Sequence, residues 1–325
     1  MVQLRPVSDE LYGPYFPTDG APLAVIGTGM VGASWAALFA SNGWEVHLHD
    51  SNSDTLANAL ETIHKVAQFL VDHAMADANK TQKGLNSLAT FQTLPAAVES
   101  ATLVQEAVVE NLETKRRIFK EIDQHTSNHA LLITSSSGLS ISQIQASTEH
   151  PERCLAGHPY NPPHLIPLVE IAPGESTSPQ AVEAARAFYE SLGKKPIVLK
   201  REIPGYLANR MSAALWREAV NLVLEGVASV EDIDDAIRFG PGLRWSVVGP
   251  NLTYHLGGGK GGIRYHTEHL LHSKEKMWQS LKDWKTFPLE AIDILEAGLP
   301  DPEDFQSIAH ERDRALVRLI KTLYE

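Results

Sequence analysis

The chain has 325 residues, 43% hydrophobic and 21% charged, a globular composition that excludes a disordered or collagen-like polymer. Lys and Arg total 28 against 40 Asp and Glu, a net charge of −12, and so acidic a body does not invite nucleic acid or an anionic membrane surface. The single cysteine, Cys154, leaves no internal disulfide and no cysteine-rich metal site; with no long apolar run and no leader-like start, the expectation is a metal-free, cytoplasmic protein of about two domains.

In chain order, residues 1–20 read as an irregular arm punctuated by Pro6, Gly13, Pro14 and Pro17. An apolar strand follows at Pro22–Gly27, then a helix over Met30–Ser41 stopped by Asn42-Gly43, and an alternating strand at Trp44–Asp50. Asp54–Met75 is a long helix. After a short connection come a strand at Ala101–Val109, a charged helix at Leu112–His125 and a strand at Ala130–Ser135. Cys154–His158 and Ile166–Ala172 are further strands, followed by a helix over Pro179–Leu192 and a last strand at Lys195–Leu199. Strands alternating with helices predict an α/β architecture, a doubly wound and mostly parallel sheet with helices on both faces. Beyond Pro204 the pattern is all helical. Pro204 fits the first position of a helix over Gly205–Glu225, and Ser229 with Asp232 resembles a capping box opening Val230–Phe239. Residues 240–262 are rich in glycine and aromatics, and Arg264–Leu281 and Glu303–Tyr324 are again helical. The expected organisation is an arm (1–20), an α/β domain (21–200) and an all-α domain (201–325).

Gly27-Thr28-Gly29-Met30-Val31-Gly32 is a GxGxxG loop between a strand and a helix, the context a dinucleotide fingerprint requires. The first glycine allows the tight turn, the second close approach to a pyrophosphate, and the third close packing of helix on strand. Asp50 closes the next strand about 20 residues on, placed to accept from ribose hydroxyls and to repel a 2′-phosphate. Ser51-Asn52-Ser53 brings no arginine beside it, so the expected cofactor is NAD rather than NADP. Glu110 follows the Ala101–Val109 strand at its carboxyl end, where such folds bind ligands, with Lys115 a helical turn onward. Ser135-Ser136-Ser137-Gly138 ends the next strand, offering hydroxyls to a nicotinamide or substrate, or only capping a turn. His158 ends a strand ahead of a stiff Pro159-Tyr160-Asn161-Pro162-Pro163 run, and Glu170 lies inside the apolar strand LIPLVEIA. A carboxylate there needs a partner. Paired with His158 it would fix the imidazole tautomer and leave the other nitrogen as general base for an alcohol; a purely structural pair is the alternative.

Together GTGMVG, VVENLETK, TSSSGLS, GHPYNPP, LVEI and PGYLANR resemble the 3-hydroxyacyl-CoA dehydrogenase family over nearly the whole chain after residue 20. The resemblance implies a Rossmann domain followed by a helical domain that forms a homodimer. It implies His158 as base, Glu170 as its partner, Ser137 as the serine on the substrate hydroxyl, and Asn209 as an active-site asparagine. Gly27, Gly29, Met30, Val31, Gly32 and Asp50, with Glu110 and Lys115, then form the NAD site. HPYNPPHLIPLVE and GPGLRWSVVGPNLTYHLGGGKGG depart from the fatty-acid enzymes and look like the branch with L-carnitine dehydrogenase, L-gulonate 3-dehydrogenase and λ-crystallin. The expected substrate is therefore a small free 3-hydroxy acid, carnitine-like. Tyr160, Trp245 and Tyr254 are candidates for an aromatic wall around a quaternary ammonium, and Arg244 for a carboxylate clamp; the alternative is that Trp245 and Tyr254 pack the helical core and Arg244 pairs with a structural acid. The alternatives are a 3-hydroxyacyl-CoA dehydrogenase and a crystallin-like NAD-binding structural protein with little turnover. The expected dimer face is the apolar stripe Val220, Val223, Leu224 and Val227, residues that could equally be ordinary core of one subunit.

Overall fold

The computed structural model describes residues 13–17 and 20–324, so most of the arm expected over residues 1–20 lies outside the described residues. The chain divides into two compact units, Met1–Arg210 and Met211–Glu325. The first runs β1 (Leu23–Ile26), α1 (Met30–Ser41), β2 (Val46–His49), α2 (Ser53–Asp72), α3 (Ala78–Asn86), β3 (Leu88–Thr90), α4 (Leu94–Val98), β4 (Leu103–Glu106), α5 (Leu112–His125), β5 (Leu131–Thr134), α6 (Ile141–Gln145), β6 (Cys154–Pro159), β7 (Leu168–Pro173), α7 (Pro179–Ser191) and β8 (Lys195–Val198). Its strands form one eight-stranded sheet in the order β3-β2-β1-β4-β5-β6-β7-β8. Only the β6–β7 pairing is antiparallel, and its register sets His158 directly opposite Glu170.

The residues of β1 alternate between two buried layers. Leu23 and Val25 of β1 join Trp35, Phe39, Phe188 and Tyr189 on one face, while Ala24 and Ile26 join Phe119, Ile122 and Leu132 on the other. Two of the first unit's helices carry asparagine caps: Asn52 accepts from the Asp54 and Thr55 N–H groups, and Asn111 from that of Thr114, caps worth ~1 kcal/mol each. The connection expected between the long second helix and the fourth strand in fact holds α3, β3 and α4. These escape a periodicity reading because β3 has three residues and α4 five.

α8 (Ala208–Leu224) opens in the first unit and continues into the second, which adds α9 (Val230–Phe239), α10 (Pro241–Trp245), α11 (Pro250–Gly257), α12 (Gly262–Ser280), α13 (Ala291–Ala297) and α14 (Phe305–Tyr324). Ser229 caps α9, accepting from the Asp232 N–H at 3.1 Å. Pro204 does not start α8. Gly205 and Tyr206 have φ of 76° and 49°, left-handed values that break a helix, so residues 204–207 form a turn. The glycine-rich stretch 240–262 is largely helical, with Pro241 and Pro250 opening short helices. For half of the stripe read as dimer face or core, the structure gives core. Val220 and Val223 are buried inside this chain, and of the four only Val227 is well exposed. Among the described residues no helix is long and apolar enough to cross a membrane.

Candidate active site

The order of strands reverses between β1 and β4, and the crevice beyond their carboxyl ends is where such sheets bind ligands. The glycine loop sits at that point. Gly27 has φ of 88°, and a Cβ there would lie 2.7 Å from the Ala107 carbonyl carbon; a Cβ on Gly32 would lie 1.9 Å from the Gly27 oxygen. Both positions therefore exclude any larger residue. Gly29, by contrast, faces open space and starts α1 without a side-chain cap, leaving the helix's first N–H groups free for an anion. These features fit a bound pyrophosphate.

A cleft of about 630 Å³ runs from this loop along Gly27, Gly29, Asp50, Thr55, Val108 and Arg117. Asp50 braces the loop as well as lining the cleft: its carboxylate accepts from the Thr28 N–H at 2.7 Å and the Asn52 N–H at 2.9 Å. Met30 is exposed at the helix start, and Val31 lines a second, smaller pocket of about 190 Å³. That pocket is also lined by Glu110, Lys115, Ser135, Ser137, His158 and Asn161.

His158 is 5% exposed and Glu170 1% exposed, and Nδ1 of the imidazole lies 3.1 Å from Glu170 Oε2. Oε1 of the same carboxylate accepts from the Leu207 and Ala208 N–H groups at 2.8 and 3.0 Å. Burial pushes the Glu170 carboxyl up, but the hydrogen bonds from His158 and those two amides outweigh it and hold it below the usual carboxylate range. An ionised carboxylate only accepts, so Nδ1 carries the proton and Nε2 is the basic nitrogen. Tyr206 packs its ring on the imidazole at a centroid distance of 5.0 Å, and Gly157 precedes His158 because a Cβ there would meet the Tyr189 hydroxyl at 2.3 Å.

Glu110 and Lys115 meet at 3.5 Å, and Lys115 is buried. Its closer partner is Glu106, fully buried at the end of β4, at 2.6 Å. Glu106 also accepts from the Val108 N–H and the Thr134 hydroxyl. Glu110 gathers the serine turn, accepting from the Ser136 hydroxyl at 2.6 Å and from the Ser137 and Gly138 N–H groups at 3.0 Å. Burial pushes its carboxyl up, while these bonds and Lys115 bring it net below the ordinary value. The Ser137 side chain is exposed at the pocket, its hydroxyl uncommitted among the described residues.

Two further expected residues of the first unit are outside the lining of this pocket. Asn209 follows Ala208 in the first turn of α8 and is not part of the lining; nor is Tyr160, although its neighbours Pro159 and Asn161 are. Arg244, Trp245 and Tyr254 belong to the helical unit. Trp245 and Tyr254 are 38% and 37% exposed, so neither is core. Tyr254 already carries the Lys274 ammonium over its ring at 4.8 Å. Glu106, Gln105 and Asn161 went unread in the sequence. Glu106 and Gln105 had a signal, polar residues inside the apolar run LVQEAVV, but nothing in that run names their partners.

Residues 22–203 match the profile of the 3-hydroxyacyl-CoA dehydrogenase NAD binding domain, and residues 205–292 that of the same enzymes' C-terminal domain. The chain belongs to the 3-hydroxyacyl-CoA dehydrogenase family. It is an NAD-dependent oxidoreductase of that family, with the Rossmann-type sheet and helical C-terminal region found here. L-carnitine dehydrogenase of Streptomyces coelicolor is 37% identical over 94% of this chain and 95% of its own length. The L-carnitine dehydrogenase of Bacillus cereus is 38% identical over 93% and 92%. Among solved structures, 5-formyl-3-hydroxy-2-methylpyridine 4-carboxylic acid 5-dehydrogenase, an NAD+-dependent dismutase, superposes with a TM-score of 0.82 at 28% identity, covering 93% of this chain and 98% of the other.

Proposed function

We propose that this family member oxidises the 3-hydroxyl of a small, carnitine-like 3-hydroxy acid to the 3-keto acid, with His158 as general base. The observation that carries the reading is the buried His158–Glu170 pair at 3.1 Å, on the wall of a pocket that opens beside the glycine loop. Bound NAD supplies the hydride acceptor. His158 Nε2 takes the hydroxyl proton, and Glu170 stabilises the imidazolium that results. Ser137 holds the substrate oxygen, its turn fixed by Glu110. Asn209 completes the site from the start of α8. Gly27, Gly29, Met30, Val31, Gly32 and Asp50 hold the dinucleotide, with Glu110 and Lys115 at its nicotinamide end. Asp50 disfavours a 2′-phosphate and selects NAD over NADP.

The carnitine-like substrate rests on the L-carnitine dehydrogenases, similar to this chain over more than nine-tenths of its length. Tyr160, Trp245 and Tyr254 are assigned to the quaternary ammonium and Arg244 to the carboxylate. A buried His158–Glu170 pair on the wall of such a pocket speaks against a crystallin-like structural role. The domains are read as 21–200 and 201–325, and the enzyme as a cytoplasmic homodimer joined through its helical half. Incubation with NAD and L-carnitine, 3-hydroxybutyrate or 3-hydroxybutyryl-CoA, followed at the nicotinamide absorbance, tests the substrate. We expect the free cationic acid to be the best of the three by kcat/KM. A preference for the thioester would overturn the reading in favour of a 3-hydroxyacyl-CoA dehydrogenase.

A further inference from the structure

We propose that Ser135 donates the hydrogen bond that reads the carboxamide oxygen of bound nicotinamide, and that Gln105 and Tyr189 are positioning residues that aim it. The proposal rests on reading the His158 pocket as the reaction site. Ser135 follows β5 directly, between β4 and β6 in the sheet, and lines the same pocket as Ser137 and His158. Its backbone is pinned by a 2.8 Å bond from its N–H to the Glu106 carbonyl.

A buried polar chain reaches Ser135 from behind. The Tyr189 hydroxyl on α7 donates to Gln105 Oε1 at 2.7 Å, and Gln105 Nε2 donates to Ser135 Oγ at 2.8 Å. Tyr189 and Gln105 are both 0% exposed, inside a core otherwise filled by aliphatic and aromatic groups. The direction of this chain is fixed by chemistry. Burial keeps the phenol protonated, and Gln105 is the partner that takes its proton, so the amide oxygen faces Tyr189 and the amide N–H faces Ser135. Ser135 Oγ is thereby an acceptor on its inner side. Its own proton has no acceptor among the described residues, which leaves it to the pocket.

Two ligand groups accept a hydrogen bond there, the nicotinamide carboxamide oxygen and the substrate carboxylate. In a two-halved dinucleotide fold the first half of the sheet takes the adenosine, so the carboxyl ends of β4 and β5 face the nicotinamide nucleotide. That position favours the carboxamide. A core of this kind is more cheaply filled with apolar side chains, since buried polar groups are tolerated only when fully bonded. Such a chain keeps one hydroxyl rotor pointed one way.

The test measures binding of NADH and of ADP-ribose, which lacks nicotinamide, to Ser135→Ala and Ser135→Thr without any substrate. Loss of one hydrogen bond should weaken NADH by ~3–10-fold in Ser135→Ala, leave ADP-ribose unchanged, and be largely restored in Ser135→Thr. Tyr189→Phe should weaken NADH in the same direction but less, again sparing ADP-ribose; if that variant does not fold, the Ser135 pair decides alone. Equal weakening of both ligands, or no change in either, overturns the proposal. So does normal NADH binding with a raised KM for the hydroxy acid, which would give Ser135 to the substrate carboxylate. The NADH and ADP-ribose titrations hold whatever substrate the enzyme oxidises, so failure of the carnitine-like reading stays separate.

Discussion

The two units bury their apolar residues very differently. In the first, Trp35, Phe39, Phe119, Phe188 and Tyr189 are all fully buried, and each face of the sheet has its own layer. In the second, the buried apolar side chains among the described residues are Val220, Val223, Ile233, Ala291 and Val317. Trp216, Trp278, Phe239 and Leu289 are 55%, 60%, 69% and 73% exposed. Apolar surface of that extent marks an interaction face. The first unit buries its large apolar side chains within one chain, whereas the helical unit leaves many of its own exposed, and on that ground we propose the dimer.

The sharpest way to break this contrast is at Trp216, which stacks on Phe287 at 5.3 Å with both rings well exposed. Light scattering should find a dimer, and Trp216→Glu should shift it to monomer while the first unit still binds NADH. A wild-type monomer at micromolar concentration would remove the dimer.

The next effect belongs to the compact unit. Glu170→Gln should lower turnover by ~10–100-fold and shift its pH profile, because the imidazolium loses its counter-charge. The same change has a stability signature. The Glu170 carboxyl titrates lower in the folded chain than its ordinary 4.5, so its contribution is present above that value and lost as pH falls through the folded pKa. Denaturant unfolding should show Glu170→Gln less stable than wild type near neutrality, with the gap closing in acid. A gap independent of pH would contradict the buried ionised pair. A smaller effect is expected at Asp50, where Asp50→Ala should narrow the preference for NAD over NADP by about tenfold in kcat/KM. Equal kcat/KM for the two cofactors in wild type would show that the carboxylate only braces the glycine loop.

What the sequence discloses divides along the same line. The glycine loop is legible because the positive φ of Gly27 and the contact of Gly32 with the Gly27 oxygen are local demands, and the turn they make is visible in six consecutive residues. His158 and Glu170 are legible because a carboxylate in an apolar strand demands a partner and the strands are short enough to pair. Glu106 with Lys115 and Gln105 with Tyr189 are not, since those pairs meet only once β4 packs against α5 and α7. The α8 stripe shows a different limit. Periodicity marks Val220 and Val223 as apolar, but it does not say whether their own chain or a second copy covers them. The short helices α10 and α13 were hidden because five and seven residues carry too little periodicity to read.

If His158 is the base of an NAD-dependent hydroxy acid oxidation, His158→Gln assayed with L-carnitine and NAD must lose turnover, with NADH affinity measured on the same protein. Turnover should fall by ~10²–10⁴-fold while NADH binds within about twofold of wild type, since the variant removes a proton acceptor and leaves the cleft intact. Near-normal turnover in His158→Gln would contradict the claim and reduce the His158–Glu170 pair to a structural bond between β6 and β7.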